Sequence, residues 1–131
     1  DFPKAPEVSP IQIEDKTKKY LLVKVVRGTD LGVIKGCSEP YVVVELDDPA
    51  QKFQTSVQEK QSPIWNENFV FNVIPGVGEM LFEVHDRDGD RFLGCNIVSV
   101  DDIGNEKTRV LPLKSRRMEI SDTFTGAIEV Q

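Results

Sequence analysis

The alternation of apolar and polar positions breaks this chain into short runs of period two. The clearest is SPIWNENFVFNV, Ser62 to Val73, in which Phe69, Phe71 and Val73 share one parity while Asn68, Val70 and Asn72 take the other. Such a run is a strand with one buried face. Pro63 stops any preceding element, and Trp65 and Asn66 stand where the chain enters the strand. An indole there fills a core edge while its N–H finds a carbonyl, and an Asn side chain pins the turn. An amphipathic helix would need apolar residues at i, i+3 and i+4, which the run lacks.

The same period recurs in Tyr20 to Val26, Tyr41 to Leu46, Lys52 to Lys60, Met80 to His85, Phe92 to Ser99, Thr108 to Leu113 and Ala127 to Val130. Within KFQTSVQEK, Phe53, Thr55 and Val57 fall on one side. The connections are rich in turn formers: Thr29 to Glu39 with Gly32 and Gly36, Asp47 to Ala50, Pro75 to Gly78, Asp86 to Arg91, a loop holding Asp101, Asp102 and Gly104, and a basic polar loop through Asp122. No stretch is convincingly helical. Eight short strands with turn signals every ten or so residues predict an all-β fold, an eight-stranded antiparallel β-sandwich. Residues 1–15, with Pro3, Pro6 and Pro10, are expected to form an extended N-terminal linker, Ile11 to Glu14 being a candidate short edge strand, and residues 16–131 the domain.

Length and charge narrow the function. A chain of 131 residues is one domain that buries ~70% of its unfolded surface, so neither disulfide nor metal is needed to hold it. Cys37 and Cys95 fit no metal-ligand spacing; reduced thiols in a cytoplasmic protein are expected, with a single bridge between them left open. No apolar run approaches the roughly 18 residues of a membrane span. With neither signal peptide nor initiator Met, the sequence is expected to be a segment of a longer chain. A formal charge of -6 weighs against nucleic acid. It leaves lipid open, because a membrane senses only charge within about one Debye length, ~8 Å, of the face it meets.

The pieces GCSEPYVVVEL, SPIWNENFVFNV, LFEVHDRD and FLGCNIVSVDDI, in that order, resemble a C2 domain, the calcium- and lipid-binding sandwich of membrane-trafficking and signalling proteins. The resemblance covers roughly Lys18 to Gln131 and implies two four-stranded antiparallel sheets. KKYLLVKVV as first strand and GAIEV as last resemble the family's type II topology rather than type I. It further implies that function sits in loops at one end, where carboxylates converge on calcium ions that bridge to anionic phospholipid. Calcium requires several hard oxygens at about 2.3 to 2.6 Å.

Carried over by position, Asp86 and Asp88 match the family's DxD pair, and Glu39 stands at the acidic residue of its SDPY motif with a side chain one methylene longer. Six residues before Glu39, where the family has an aspartate, is Val33; the position before FLG holds Arg91, with Asp90 beside it as a candidate substitute. Local charge then falls to roughly -2 or -3 from about -5, and affinity follows ligand charge. The resemblance therefore implies no cofactor, or calcium at low affinity through Glu39, Asp86, Asp88 and Asp90. An equally simple reading makes Asp86, Asp88 and Asp90 a solvated turn paired with Arg87 and Arg91. An EF-hand is excluded, since the glycine of DRDGDR falls at the fourth position and Ile97 at the twelfth.

Lipid or partner contact without calcium would draw on Val33, Ile34 and Lys35 and on Arg87 and Arg91 at the loop tips, Ile34 being the best insertion candidate. The family's phosphoinositide-binding strand maps onto KFQTSVQEK, where only Lys52 and Lys60 are basic. Lys114, Arg116 and Arg117 form a second basic cluster, by default a solvated loop. His85, the only histidine, tempts an enzymatic reading, but no Ser or Cys has an evident base partner and no glycine loop cradles a phosphate. A filler of the sandwich end is the simpler role. The reading is a non-catalytic C2-like module for calcium-independent membrane targeting or protein interaction, cytoplasmic or peripheral at a membrane. Its partner would be an anionic phospholipid surface or another protein, with no nucleic acid and no small-molecule substrate, and the isolated domain a monomer. The alternatives are calcium-dependent binding of anionic phospholipid and a purely structural or protein-docking domain.

Overall fold

A computed structural model describes residues 19–32, 37–59, 62–103, 108–119 and 124–131. The periodic runs become β1 (Lys19–Thr29), β2 (Pro40–Leu46), β3 (Gln51–Gln54), β4 (Ile64–Val73), β5 (Glu79–Asp86), β6 (Arg91–Ser99), β7 (Arg109–Pro112) and β8 (Ala127–Val130), with one helical turn, α1 (Val100–Ile103), after β6. They form two four-stranded antiparallel sheets, ordered β4-β1-β8-β7 and β3-β2-β5-β6. Eight strands in two sheets is the predicted sandwich.

Side-chain parity decides which face of each strand is dry. Val23 and Val25 of β1, Val42, Val44 and Leu46 of β2, Phe71 and Val73 of β4, and Met80, Phe82 and Val84 of β5 point between the sheets and are buried. Phe71 is 0% exposed, whereas its neighbour Val70, on the other parity, is 54% exposed. Trp65 closes the core edge and donates its indole N–H to the Ser56 carbonyl at 2.9 Å. Asn66 takes a positive φ of 50° in a β-bulge, where the register between β4 and β1 shifts between Val25 and Arg27.

Both open sides of the sandwich are sewn. Between β3 and β4, the Gln51 amide donates to the Asn72 carbonyl at 2.7 Å and accepts the Asn72 N–H at 2.8 Å, imitating a backbone partner. Between β6 and the segment after β7, Cys95 and Lys114 exchange backbone hydrogen bonds at 2.9 and 2.8 Å.

Three expected boundaries move. β1 runs on through Thr29 because Arg27, Gly28 and Thr29 pair with β8, and a side chain at Gly28 would strike buried Leu31, its Cβ lying 2.6 Å from Leu31 Cδ1. β3 stops at Gln54 instead of reaching Lys60. Beyond it the Thr55 N–H still reaches the Val42 carbonyl at 2.8 Å, but the Val42 N–H goes to the Thr55 hydroxyl at 2.9 Å, so a side chain replaces half of the next backbone pair. Val100 to Ile103 forms a single turn of helix where the pattern predicts a loop; four residues are too few to show a period. The N-terminal linker and its candidate strand, Ile11 to Glu14, lie outside the described residues. Phe71→Ala is expected to cost about 3–5 kcal/mol in urea unfolding, and Val70→Ala less than about 1 kcal/mol. Similar losses at the two positions would contradict the assignment of faces.

Candidate functional site

The alternation that buries Met80, Phe82 and Val84 continues one step further and turns Asp86 inward at the end of β5. Its carboxylate is 0% exposed. A buried charge is tolerated only if its hydrogen-bonding capacity is met. Oδ1 accepts the backbone N–H groups of Glu39 at 2.9 Å and Asp88 at 3.1 Å. Oδ2 accepts the Ser38 N–H at 3.2 Å and the Arg91 guanidinium at 2.7 Å. An ionised carboxylate offers about four lone-pair sites, so both oxygens are filled. Burial is the largest influence on Asp86 and by itself would raise its pKa. The amides of Glu39 and Ser38, the Arg91 guanidinium and the Asp88 amide together outweigh it, and the carboxyl is held below its ordinary range.

The surrounding carboxylates are also engaged. Glu39, just ahead of β2, meets Arg87 through two N–H···O bonds of 3.2 Å each, and the Arg87 N–H bonds the Glu39 carbonyl at 3.0 Å. The Ser38 hydroxyl donates to Asp88 at 2.8 Å. Asp90 is exposed with φ 50° after Gly89 at φ 78°, and its N–H closes the turn on the Arg87 carbonyl at 3.2 Å. Two guanidiniums thus offset two of four carboxylates, and Arg91 sits where the resemblance would place a calcium ligand. Calcium takes about six to eight oxygens. Among the described residues no three acidic, histidine or cysteine side chains converge as a metal-holding group. The described residues do not fit a tightly held calcium ion.

The solvated-turn reading needs correction at two points. Asp86 is not solvated, because strand parity carries it inside. Arg87 reaches across to Glu39 on the neighbouring loop instead of pairing with the aspartates beside it. Sequence reasoning misses Ser38, which supplies both an amide and a hydroxyl; counting parity from Phe82 to Asp86 is the signal that asks for such donors.

The remaining candidates are dispersed. Val33, Ile34, Lys35 and Lys60 lie outside the described residues. Lys52 is exposed on β3 opposite Glu45. The basic cluster is divided: Lys114 joins the bridge to Cys95, Arg117 is exposed, and Arg116 turns in to pair with Glu83 at 3.2 Å and lie 3.9 Å over the Phe92 ring. His85 shares the outward parity of β5. It stacks on Tyr41 at 5.6 Å, meets Phe92 edge-on at 5.7 Å, and places Nε2 3.0 Å from Glu83, so it packs on the sheet's outer face and not within the sandwich end. Both cysteines are free thiols. Burial first, then the Asp86 charge, push Cys37 up to about 11 against a smaller opposing effect of Arg91, which makes it a poor nucleophile at neutral pH.

Two four-stranded antiparallel sheets with acidic interstrand loops at one end define a class of β-sandwich binding module. Residues 19–114 match the C2 domain family, and the chain belongs to it. It is 40% identical over 116 residues to the E3 ubiquitin-protein ligase NEDD4 of Rattus norvegicus, covering 81% of this chain and 12% of the ligase. The solved tandem C2 domains of extended synaptotagmin 2 superpose with a TM-score of 0.68 at 27% identity, over 98% of this chain and 46% of theirs. The calcium-bound form of the same tandem gives 0.65 at 26% identity, over 85% of this chain and 43% of that one. The chain thus spans about an eighth of the ligase's length and under half of the synaptotagmin tandem.

Asp86→Asn is expected to destabilise the domain by about 2–4 kcal/mol at pH 7. Arg91→Met should cost less, about 1–3 kcal/mol, because three amide donors remain and the guanidinium is partly exposed. Since the Asp86 pKa is lowered on folding, its stabilisation is complete above the unfolded value near ~3.9 and drains away as pH falls through the folded one. Urea midpoints of wild type and Asp86→Asn should therefore converge below about pH 4. A constant gap down to about pH 2 would contradict the ionised, hydrogen-bonded carboxylate.

Proposed function

We propose that this C2 domain is a non-catalytic attachment module of a larger protein that engages its target without calcium. The observation that carries the reading is the 2.7 Å contact between Arg91 and Asp86. The guanidinium supplies the positive charge that a calcium ion supplies to such loops, and it is covalently attached and always present. A loop end closed in this way has no cation-dependent step to switch.

Two further features support a role in attachment and not catalysis. Cys37 is held as a thiol, so it is not a ready nucleophile, and His85 is packed against two aromatic rings with no nucleophilic side chain among its contacts with the described residues. No helix among the described residues is long and apolar enough to cross a membrane. The target is an anionic membrane surface or a protein surface; Ile34 and Lys35, which lie outside the described residues, and the exposed Arg87 are the side chains the sequence offers for either.

Co-sedimentation with phosphatidylserine vesicles tests the calcium claim. The bound fraction should be the same in chelator and in about 1 mM calcium, roughly the top of the range for extracellular modules. A several-fold rise with calcium would establish the calcium-dependent alternative. Installing carboxylates with Val33→Asp and Arg91→Asp together should create calcium-stimulated binding that the wild type lacks.

A further inference from the structure

Beyond the loop end, the outer face of the sheet β3-β2-β5-β6 carries two successive rows with the same chemistry, and among the described residues only one of them is covered. In the covered row, Glu83 stands opposite Cys95 on β5 and β6. The segment after β7 lies over it: Arg116 pairs with Glu83 at 3.2 Å, and Met118 brings its sulfur 3.9 Å from Cys95, whose thiol meets the Ser115 carbonyl at 3.4 Å. A cation two residues from an apolar side chain thus satisfies a carboxylate beside an apolar position.

Two residues along the same strands, Glu45, Leu81 and Ile97 are direct cross-strand partners. They line a hollow of about 300 Å³ together with Asp47 and Glu79. Ile97 is 38% exposed. Glu45, Asp47 and Glu79 enter no ion pair among the described residues; Asp47 accepts the Glu79 N–H at 2.8 Å, and Lys52, opposite Glu45, makes no ion pair with it. The hollow lies toward the Leu46 and Met80 end of the sheet, away from Glu39 and Asp86.

We propose that this hollow docks a basic segment of a protein partner, with an aliphatic side chain set against Leu81 and Ile97 and flanking Lys or Arg residues meeting Glu45, Asp47 and Glu79. Charge complementarity selects the occupant, and the Arg116 and Met118 cover is the chain's own instance of the same match. The acidic rim repels anionic headgroups, which sets this face apart from a membrane surface. Recognition is by side chains, because the hollow lies on the outer face of the sheet and not along an edge. A patch this small makes a weak, transient contact with a dissociation constant on the order of 10–100 µM.

The test is a ¹⁵N NMR titration of the 131-residue chain with a synthetic peptide alternating Lys and Leu, beside a control in which each Lys is Glu. Expected are shifts confined to the amides around Glu45, Glu79 to Glu83 and Cys95 to Ser99, absent with the control. Glu45→Gln with Glu79→Gln should weaken binding at least ten-fold, and Ile97→Lys, at an exposed position, should do the same. No shifts at millimolar peptide, shifts centred on Asp86 to Asp90, variants that bind as well as wild type, or the same amides responding to phosphatidylserine vesicles would each overturn the proposal. The calcium question is untouched by any of these outcomes, because the two surfaces lie at opposite ends.

Discussion

A single buried carboxylate holds the loop end of this domain together. Asp86 is inside because the strand that supplies Met80, Phe82 and Val84 to the core does not change parity before it ends. An ion taken from water at that position is destabilising unless every lone pair is met. The partners come from three places: the Ser38 and Glu39 amides before β2, the Asp88 amide in the β5–β6 turn, and the Arg91 guanidinium at the start of β6. Satisfying one side chain therefore fixes the relative positions of two loops. The Glu39–Arg87 pair and the Ser38–Asp88 hydrogen bond then add to an arrangement already fixed, and as exposed contacts they contribute little alone.

The same strand organises the opposite surface. Even positions of β5 face the core, and odd positions place Leu81, Glu83 and His85 on the outer face. Near the loops that face is filled by the chain itself, with His85 between Tyr41 and Phe92 and Arg116 over Phe92. Farther along it is acidic and partly apolar with nothing set upon it among the described residues. One alternation thus separates three environments: a dry core, a closed polar end and an open acidic face.

Much of the architecture was legible because period two survives wherever a strand has one dry side. Phe69, Phe71 and Val73 face inward as the pattern requires, Trp65 finds its carbonyl at Ser56, and β8 spans the residues expected of it. What escapes the pattern depends on side chains that substitute for backbone. Thr55 ends β3 early by offering its hydroxyl to the Val42 N–H in place of a backbone carbonyl, and no local periodicity signals such a replacement. The chemistry of DRDGDR was half legible. Residue types alone suggest a hydrated acidic turn, whereas parity counted from Phe82 puts its first aspartate inside and demands a cation. Which of two nearby arginines answers depends on the turn closed by Gly89 and Asp90, a tertiary result. The division of Lys114, Arg116 and Arg117 among three environments likewise follows from the bridge to Cys95, which lies far off in sequence.

The protein's own donors fill both oxygens of the Asp86 carboxylate. The side-chain carboxyl ¹³C resonance of Asp86 reads this directly. It should titrate below the ordinary aspartate range near ~3.9 and stay unmoved as calcium is raised to about 1 mM at pH 7. A shift of that resonance that saturates at micromolar calcium would contradict the account.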